Sequence, residues 1–287
     1  MDPACLPDIR DAYRRDGYAV ARGVFTAAEV AELAAAFDRH YATGLRHPTS
    51  FRHGNFFVRV ARDPGIGHTV RMVQWPSYQD PLLNRFRQDG RMFRLIEPLV
   101  GRDVKQIINQ LHWKPPGAVG GDYAFHQDSR FRRPAEAYRN LDQSYVQTGI
   151  AVDLHDARSG AMRVYPGSHR LGPVELAPRV GVLGSGIGEE ALEQAGLDPA
   201  RLVDLVLEPG DVAFWHPYMI HGSAANRSTR DRRFYINGYV RAADCDRGEE
   251  TWRNGRAVPL GAPVLVHYED LHRNPGPHYV EQAVQGG

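Results

Sequence analysis

The chain has almost no cysteine and almost no lysine. Cys5 and Cys245 are the only thiols in 287 residues, too few for a disulfide framework and suited to a reducing compartment. Lys105 and Lys114 are the only lysines, and arginine carries the rest of the positive charge; we read this bias as the mark of a GC-rich genome rather than of function. No uninterrupted apolar run approaches the roughly 20 residues that span a bilayer. The opening residues, Met-Asp-Pro-Ala-Cys-Leu-Pro-Asp, lack the basic and apolar regions of a secretory signal. A cytoplasmic location is therefore expected. Excess charge is missing too: 35 basic residues face 34 acidic ones, a formal net charge of +1. That balance gives neither nucleic acid nor an anionic membrane an electrostatic reason to bind. Repeats, low-complexity tracts and linker-like runs are absent. One domain over residues 1–287 is expected, with a helical part to about 103, a β core over about 104–245 and a wrap over 246–287.

What remains is ordinary globular material, 42% hydrophobic and 24% charged, enough for a sizeable core. Residues 17–25 are strand-like. Thr26 then opens a helix as N-cap, with Glu29 three residues on to complete a capping box, and Val30, Leu33, Ala34 and Phe37 give it one apolar face. A second helix is expected over 92–100, where Leu95, Ile96 and Leu99 share a face and Gly101 supplies the stop. Beyond Val104 the texture changes to short β runs over 105–113, 144–154, 161–165, 202–207, 211–215 and 233–240. Turns such as Pro115-Pro116-Gly117 and Pro209-Gly210 separate them. Residues 180–199, helical around 188–195, read as an insertion. Helices first and strands afterwards suggest a closed or sandwiched β core with helices packed outside.

The sharpest local signal is Phe125-His126-Gln127-Asp128. On a strand, residues two apart share a face, so His126 and Asp128 can reach one ion. A histidine from a distant strand would complete a 2-His-1-carboxylate face, which leaves coordination positions open for a cosubstrate and O₂. Downstream lies Trp215-His216-Pro217-Tyr218-Met219-Ile220-His221-Gly222-Ser223, with two histidines an odd number of residues apart. On a regular strand they face opposite sides and cannot both bind. Small residues follow His221 and leave room beside a metal, whereas Pro217 after His216 suits a bend, so His216 is read as a wall residue. Eleven residues beyond His221 stands Arg232, placed to hold the far carboxylate of a dicarboxylic cosubstrate in a bidentate pair. Arg233 is the fallback if the register slips by one, since strand neighbours face opposite ways.

With these motifs the chain resembles the phytanoyl-CoA hydroxylase-like oxygenases, a family that includes ectoine hydroxylase and many natural-product hydroxylases. The match runs in order through Asp16-Gly17-Tyr18-Ala19-Val20, Lys114-Pro115-Pro116-Gly117 and His126-Gln127-Asp128. It continues through Ser159-Gly160-Ala161-Met162-Arg163-Val164, Pro166-Gly167-Ser168-His169 and Glu208-Pro209-Gly210-Asp211, and ends with His216-Pro217, His221-Gly222-Ser223, Asn226 and Arg232. The resemblance implies a mainly β fold with flanking helices around a double-stranded β-helix (jelly-roll, cupin-like) core. It implies iron(II) on His126, Asp128 and His221. It implies 2-oxoglutarate on Arg232, with Ser223 adding a hydroxyl and Gln110 a further contact. One departure is visible: an aromatic residue common in the family is replaced around Gly149-Ile150, leaving Thr148 or Gln147 for the cosubstrate's inner end. Retention of Asp128 favours hydroxylation, or another oxidation, over halogenation, which needs a small residue there. The expected reaction consumes O₂ and 2-oxoglutarate and releases succinate and CO₂. The expected substrate is a small specialised metabolite, acted on by a monomer or homodimer.

Candidate pocket-wall residues are Tyr123, Phe125, Arg130, Phe131 and Arg132 beside the ligand strand, and Phe51, Arg52, Phe56, Phe57, Arg59, Arg71 and Trp75 in the segment before the β core. Of these, Phe57, Arg59, Trp75, Tyr123 and Arg130 are taken as the substrate set, with arginine meeting an anionic or polyoxygenated group. The competing reading is a cupin-type metal protein, an isomerase or small-molecule binder, for which a cosubstrate anchor at Arg232 and Ser223 has no purpose.

Overall fold

Strand parity decides the architecture. Alternate residues of each long strand face opposite sides of its sheet. The computed structural model describes residues 6–53, 55–174, 176, 189–260 and 278–279. In chain order its elements are α1 (Leu6–Asp16), β1 (Tyr18–Ala21), α2 (Ala27–Gly44), β2 (Phe51–His53), β3 (Phe56–Asp63), β4 (Gly67–Gln74), α3 (Pro81–Arg87) and α4 (Gly90–Val100). They continue with β5 (Val104–Lys114), β6 (Tyr123–His126), β7 (Tyr145–Ala151), β8 (Arg163–Val164), β9 (Val203–Asp204), β10 (Val212–Trp215), β11 (His221–Ser223), β12 (Arg232–Arg241), β13 (Glu249–Arg253), β14 (Arg256–Ala257) and β15 (His278–Tyr279).

Two antiparallel sheets result. The larger runs β1-β10-β7-β12-β5-β4-β3-β2-β15, with β13 also on β5 and β14 on β13; the smaller runs β6-β11-β8-β9. Leu111 and Trp113 of β5, Val146 and Ile150 of β7, Val212 and Phe214 of β10 and Tyr235 of β12 face outward into one apolar cluster. Leu33 and Phe37 of α2, Leu83 and Phe86 of α3 and Leu95 and Ile96 of α4 fill it from the other side. Each such side chain contributes about 1.5–3 kcal/mol on burial, so the helices clamp the outer face of the large sheet. The inner face is left to Gln110, His112, Gln147, Phe234 and Ile236, which line a cavity with residues of the small sheet. Among the described residues no helix is long and apolar enough to cross a membrane.

The capping box at Thr26 forms as expected: Thr26 Oγ1 accepts from Glu29 N at 3.3 Å, and the Glu29 carboxylate accepts from Thr26 N at 2.8 Å. Two expectations need correction. The part expected to be helical to about residue 103 also holds strands, because β2, β3 and β4 extend the large sheet beyond β5. A register shift between Arg59 and Val60 interrupts the two-residue period there. Residues after Arg247 are not only a wrap, since β13 pairs with β5. In the 180–199 insertion, residues 180–188 lie outside the described set, and a short helix runs over Glu190–Gln194.

Candidate metal centre

His126 ends β6 and His221 begins β11, and the two are directly opposed in the small sheet. Their rings stand 4.3 Å apart between centroids. Asp128 is not on the strand: it starts a 3-10 turn over Asp128–Phe131. Gln127 nevertheless keeps extended backbone, φ −112 and ψ 135, so the carboxylate lands on the same side as His126. The Gln127 side chain points away and ties two loops, donating to Gly172 O and Tyr218 O.

One ligand atom from each of His126, Asp128 and His221 lies within 4.8 Å of the others. His126 Nε2 is 3.6 Å from Asp128 Oδ1, and His221 Nε2 is 3.8 Å from Oδ2. On the far side of each ring, Nδ1 sits 2.7 Å from Ala124 O and 2.9 Å from Met219 O. A carbonyl only accepts, so each Nδ1 carries the proton and each Nε2 presents its lone pair inward. The Trp215 indole donates to Asp128 Oδ2 at 2.8 Å and fixes the carboxylate. Burial alone would raise the Asp128 pKa, but His221, His126 and Arg132 outweigh it and hold the group well below the usual carboxylate range. Burial, with His126, pushes His221 down to about 4. Both groups are therefore in their metal-binding forms at neutral pH. Two nitrogens and a carboxylate on one side of a buried cavity fit a divalent iron with an open face.

His216 stays out, for a reason other than the expected one. The chain from 216 to 221 is not a strand, so parity does not apply. β10 stops at Trp215, Met219 N bonds back to His216 O, and the chain crosses to the other sheet. His216 Nε2 meets Asp142 O at 2.8 Å, and Nδ1 accepts from Tyr218 N.

The cavity, of about 100 Å³, also takes in Arg232 and Ser223. Arg232 begins β12 opposite Lys114 and is 4% exposed. Its Nε is buried without a hydrogen-bond partner. Burial pushes its pKa down to about 10, still charged at neutral pH, so this is a desolvated cation awaiting an anion. Arg233 faces outward to Asp153 and Asp38, 2.8 and 2.9 Å away. Lys114 is fully buried and was assigned no role from sequence, although it opens the quoted Lys-Pro-Pro-Gly. Its Nζ donates to Ser223 Oγ and Ala224 O, both at 2.5 Å. The Ser223 proton is thereby left free to donate into the cavity.

Gln110 lines the cavity and is joined through His112 to Tyr123: both ring nitrogens of His112 are engaged, at 2.8 Å each. Burial, with Arg232 and Arg71, pushes His112 down to about 3, so it is neutral. Nε2–H then donates to Gln110 Oε1, and Nδ1 accepts from the Tyr123 hydroxyl. Thr148 is a correction. It lies on the outer face of β7, with its hydroxyl donating to Asn237 O, and its neighbour Gln147 lines the cavity instead. The missing aromatic also has an explanation. A Cβ at Gly149 would stand 2.0 Å from the ring of Phe234, so the neighbouring strand supplies the ring that β7 lacks. Phe234 in turn stacks on Trp215, 6.1 Å between centroids at 16°. Of the five residues taken as the substrate set, only Tyr123 lines the cavity. Phe57 and Arg59 are on β3, beyond β4. Trp75 packs with Ile108 and Tyr145, and Arg130 lies over Phe131 at 5.2 Å.

Residues 13–234 match the family model for phytanoyl-CoA dioxygenase (PhyH). The chain belongs to the PhyH family. A probable alpha-ketoglutarate-dependent hypophosphite dioxygenase of Stutzerimonas stutzeri is 28% identical over 175 residues, covering 60% of this chain and 58% of that one. The chain thus spans little more than half the length of that relative. Peroxisomal phytanoyl-CoA dioxygenase of Rattus norvegicus is 27% identical over 252 residues, covering 82% of this chain and 68% of the rat protein. Among solved structures, the epimerase SnoN in complex with Fe3+, alpha ketoglutarate and nogalamycin RO superposes with a TM-score of 0.60. It is 23% identical, over 92% of this chain and 97% of SnoN. That likeness establishes the mainly β, cupin-like fold shared by the two.

Proposed function

We propose that the chain is an Fe(II)- and 2-oxoglutarate-dependent dioxygenase that oxidises an unactivated C–H of a small specialised metabolite. One observation carries the reading: a buried 2-His-1-carboxylate face and a buried, unpaired arginine share one cavity. A cupin-type isomerase has no use for the second of these. Nε2 of His126, Nε2 of His221 and the Asp128 carboxylate would hold the iron. Arg232, with the Ser223 hydroxyl, would take the far carboxylate of 2-oxoglutarate, and Gln110 and Gln147, which line the same cavity, would be available to its inner end. When bound, iron and cosubstrate supply O₂ activation coupled to release of succinate and CO₂.

The residues of the chain do the rest. The Ala124 and Met219 carbonyls fix which histidine nitrogens face inward. Trp215 holds the carboxylate. Phe234, Met162 and Ile236 line the cavity with apolar surface, which limits water around the reacting C–H. A cytoplasmic monomer or homodimer completes the proposal. A substrate screen for succinate release tests it, with His221→Ala as control. Succinate formed by the parent and lost in the variant is the expected result; release that survives His221→Ala contradicts the assignment.

A further inference from the structure

His112 lines the cavity but has no task in the reading above. It stands two residues from Gln110 on β5, so the two share the inner face, and Tyr123 of β6 completes a row of three cavity-lining polar groups. Tyr123 Oη meets His112 Nδ1 and His112 Nε2 meets Gln110 Oε1, 2.8 Å in each case. Among the described residues the Gln110 Nε2 has no hydrogen-bond partner. The direction of the protons along this row decides whether Gln110 offers the cavity a donor or an acceptor.

A neutral imidazole carries one proton, so the row can run in only two ways. In the first, the Tyr123 hydroxyl donates to Nδ1, Nε2–H donates to Gln110 Oε1, and the amide turns its NH₂ into the cavity. In the second every bond is reversed, the amide is turned round, and the phenol proton points away from His112. Arg232 decides between them. It lies within the field of Tyr123, and its charge bears on His112 as well. A desolvated cation attracts the phenol oxygen and repels its proton, which sends that proton to His112 and sets the first arrangement. The second also leaves the Tyr123 proton without an acceptor, an unmet donor that costs stability. Gln147, on the other flank of β12, is held in the same manner: the Tyr145 hydroxyl donates to its Oε1, which leaves its NH₂ for the cavity it lines.

We propose that His112 is a positioning residue for the cosubstrate: held by Tyr123, it locks Gln110 so that the amide donates to an acceptor oxygen at the inner end of 2-oxoglutarate. The inference rests on the reading of this cavity as an iron and 2-oxoglutarate site. Arg232 pairs with Lys114, and Gln110 is four residues back along β5, a separation of about 13 Å. An arginine side chain and a five-carbon acid each cover about 6–7 Å by their bond lengths, and together they close that gap. The charge that grips one end of the cosubstrate thus orients, through two side chains, the donor that meets the other. Fixing the amide beforehand spares the ordering cost that a freely turning glutamine would meet on binding.

The test titrates 2-oxoglutarate into the iron(II)-loaded protein under nitrogen, followed by calorimetry, in the parent, His112→Phe, Gln110→Leu and the double variant. Phenylalanine keeps the bulk of the ring and removes both of its hydrogen bonds. Each single variant should weaken 2-oxoglutarate by about three- to tenfold, the loss of one ordinary hydrogen bond. The double variant should bind no more weakly than Gln110→Leu alone, because His112 acts only through the amide. Iron affinity of His112→Phe, read by competition with a chelator, should stay within about twofold of the parent, a readout that a distorted cavity would move. Unchanged 2-oxoglutarate affinity in either single variant overturns the proposal. Losses that add in the double variant overturn it by giving His112 a route other than Gln110, and a parallel loss of iron overturns it by marking a structural role. A parent that binds iron but no 2-oxoglutarate overturns the reading of the site itself, and the inference with it.

Discussion

Arg232→Met separates binding from stability. The guanidinium is 4% exposed, has a partnerless Nε and faces the same cavity as the triad. Removing one partner of a buried, hydrogen-bonded charge pair costs about 2–5 kcal/mol in binding. At about 1.4 kcal/mol per decade this weakens 2-oxoglutarate by roughly 30-fold to a few thousand-fold. Methionine keeps most of the stem volume, so the wall of β12 should hold. In the absence of cosubstrate the parent carries the desolvation cost of an unpaired cation. The metal-free variant should therefore be as stable as the parent, or more so. Calorimetry of 2-oxoglutarate binding to iron-loaded protein under nitrogen, with a thermal melt of the metal-free forms, measures both. Affinity within threefold of the parent would refute the assignment of Arg232. A large fall in melting temperature would show that the guanidinium supports the sheet instead.

Other consequences follow from the neighbours of the triad. Trp215→Phe removes the indole donor to Asp128 and should lower iron affinity by about 10- to 100-fold with little change in fold, as read by metal competition against a chelator. Gly149→Ala places a methyl against the Phe234 ring and should cost about 1–3 kcal/mol through overpacking. It should also lower iron affinity by displacing Phe234 into Trp215, and a fully retained affinity would argue against that coupling. Burial depresses His216 to about 4 from an ordinary 6.5. Its unfolded form therefore gains the proton first, so its share of stability is complete above pH 6.5 and is lost as pH falls towards 4. Urea melts between pH 7 and 4 should show this decline, and His216→Asn should flatten part of it; an identical slope in the variant would contradict the cause.

Much of the centre was legible because its geometry is local. His126 and Asp128 share a side through one extended residue, Gln127, even though the strand ends between them. Arg232 and Arg233 divide inner from outer face by the same parity. His221 joins the cluster although the parity premise behind its choice does not hold, since the run from His216 crosses between sheets. What could not be read depends on residues brought together from afar. The Trp215 bond to Asp128 closes 87 positions of chain, and Lys114 reaches Ser223 across 109. Phe234 replaces an aromatic that β7 lacks because it lies on the adjacent strand, a substitution no local pattern carries. The strands β3 and β4 were missed because interspersed arginines and the shift at Arg59 and Val60 mask the two-residue period. Thr148 and Gln147 could not be told apart because no anchor fixes the register of β7 from sequence alone.

The most direct measurement is the visible spectrum of the protein titrated with iron(II) and 2-oxoglutarate under nitrogen. A weak charge-transfer band of the metal–cosubstrate chelate should appear in the parent, need both components, vanish in His221→Ala and require far more 2-oxoglutarate in Arg232→Met. Stoichiometric metal binding with no such band at any cosubstrate concentration would contradict the dioxygenase reading and favour a cupin-type metal protein.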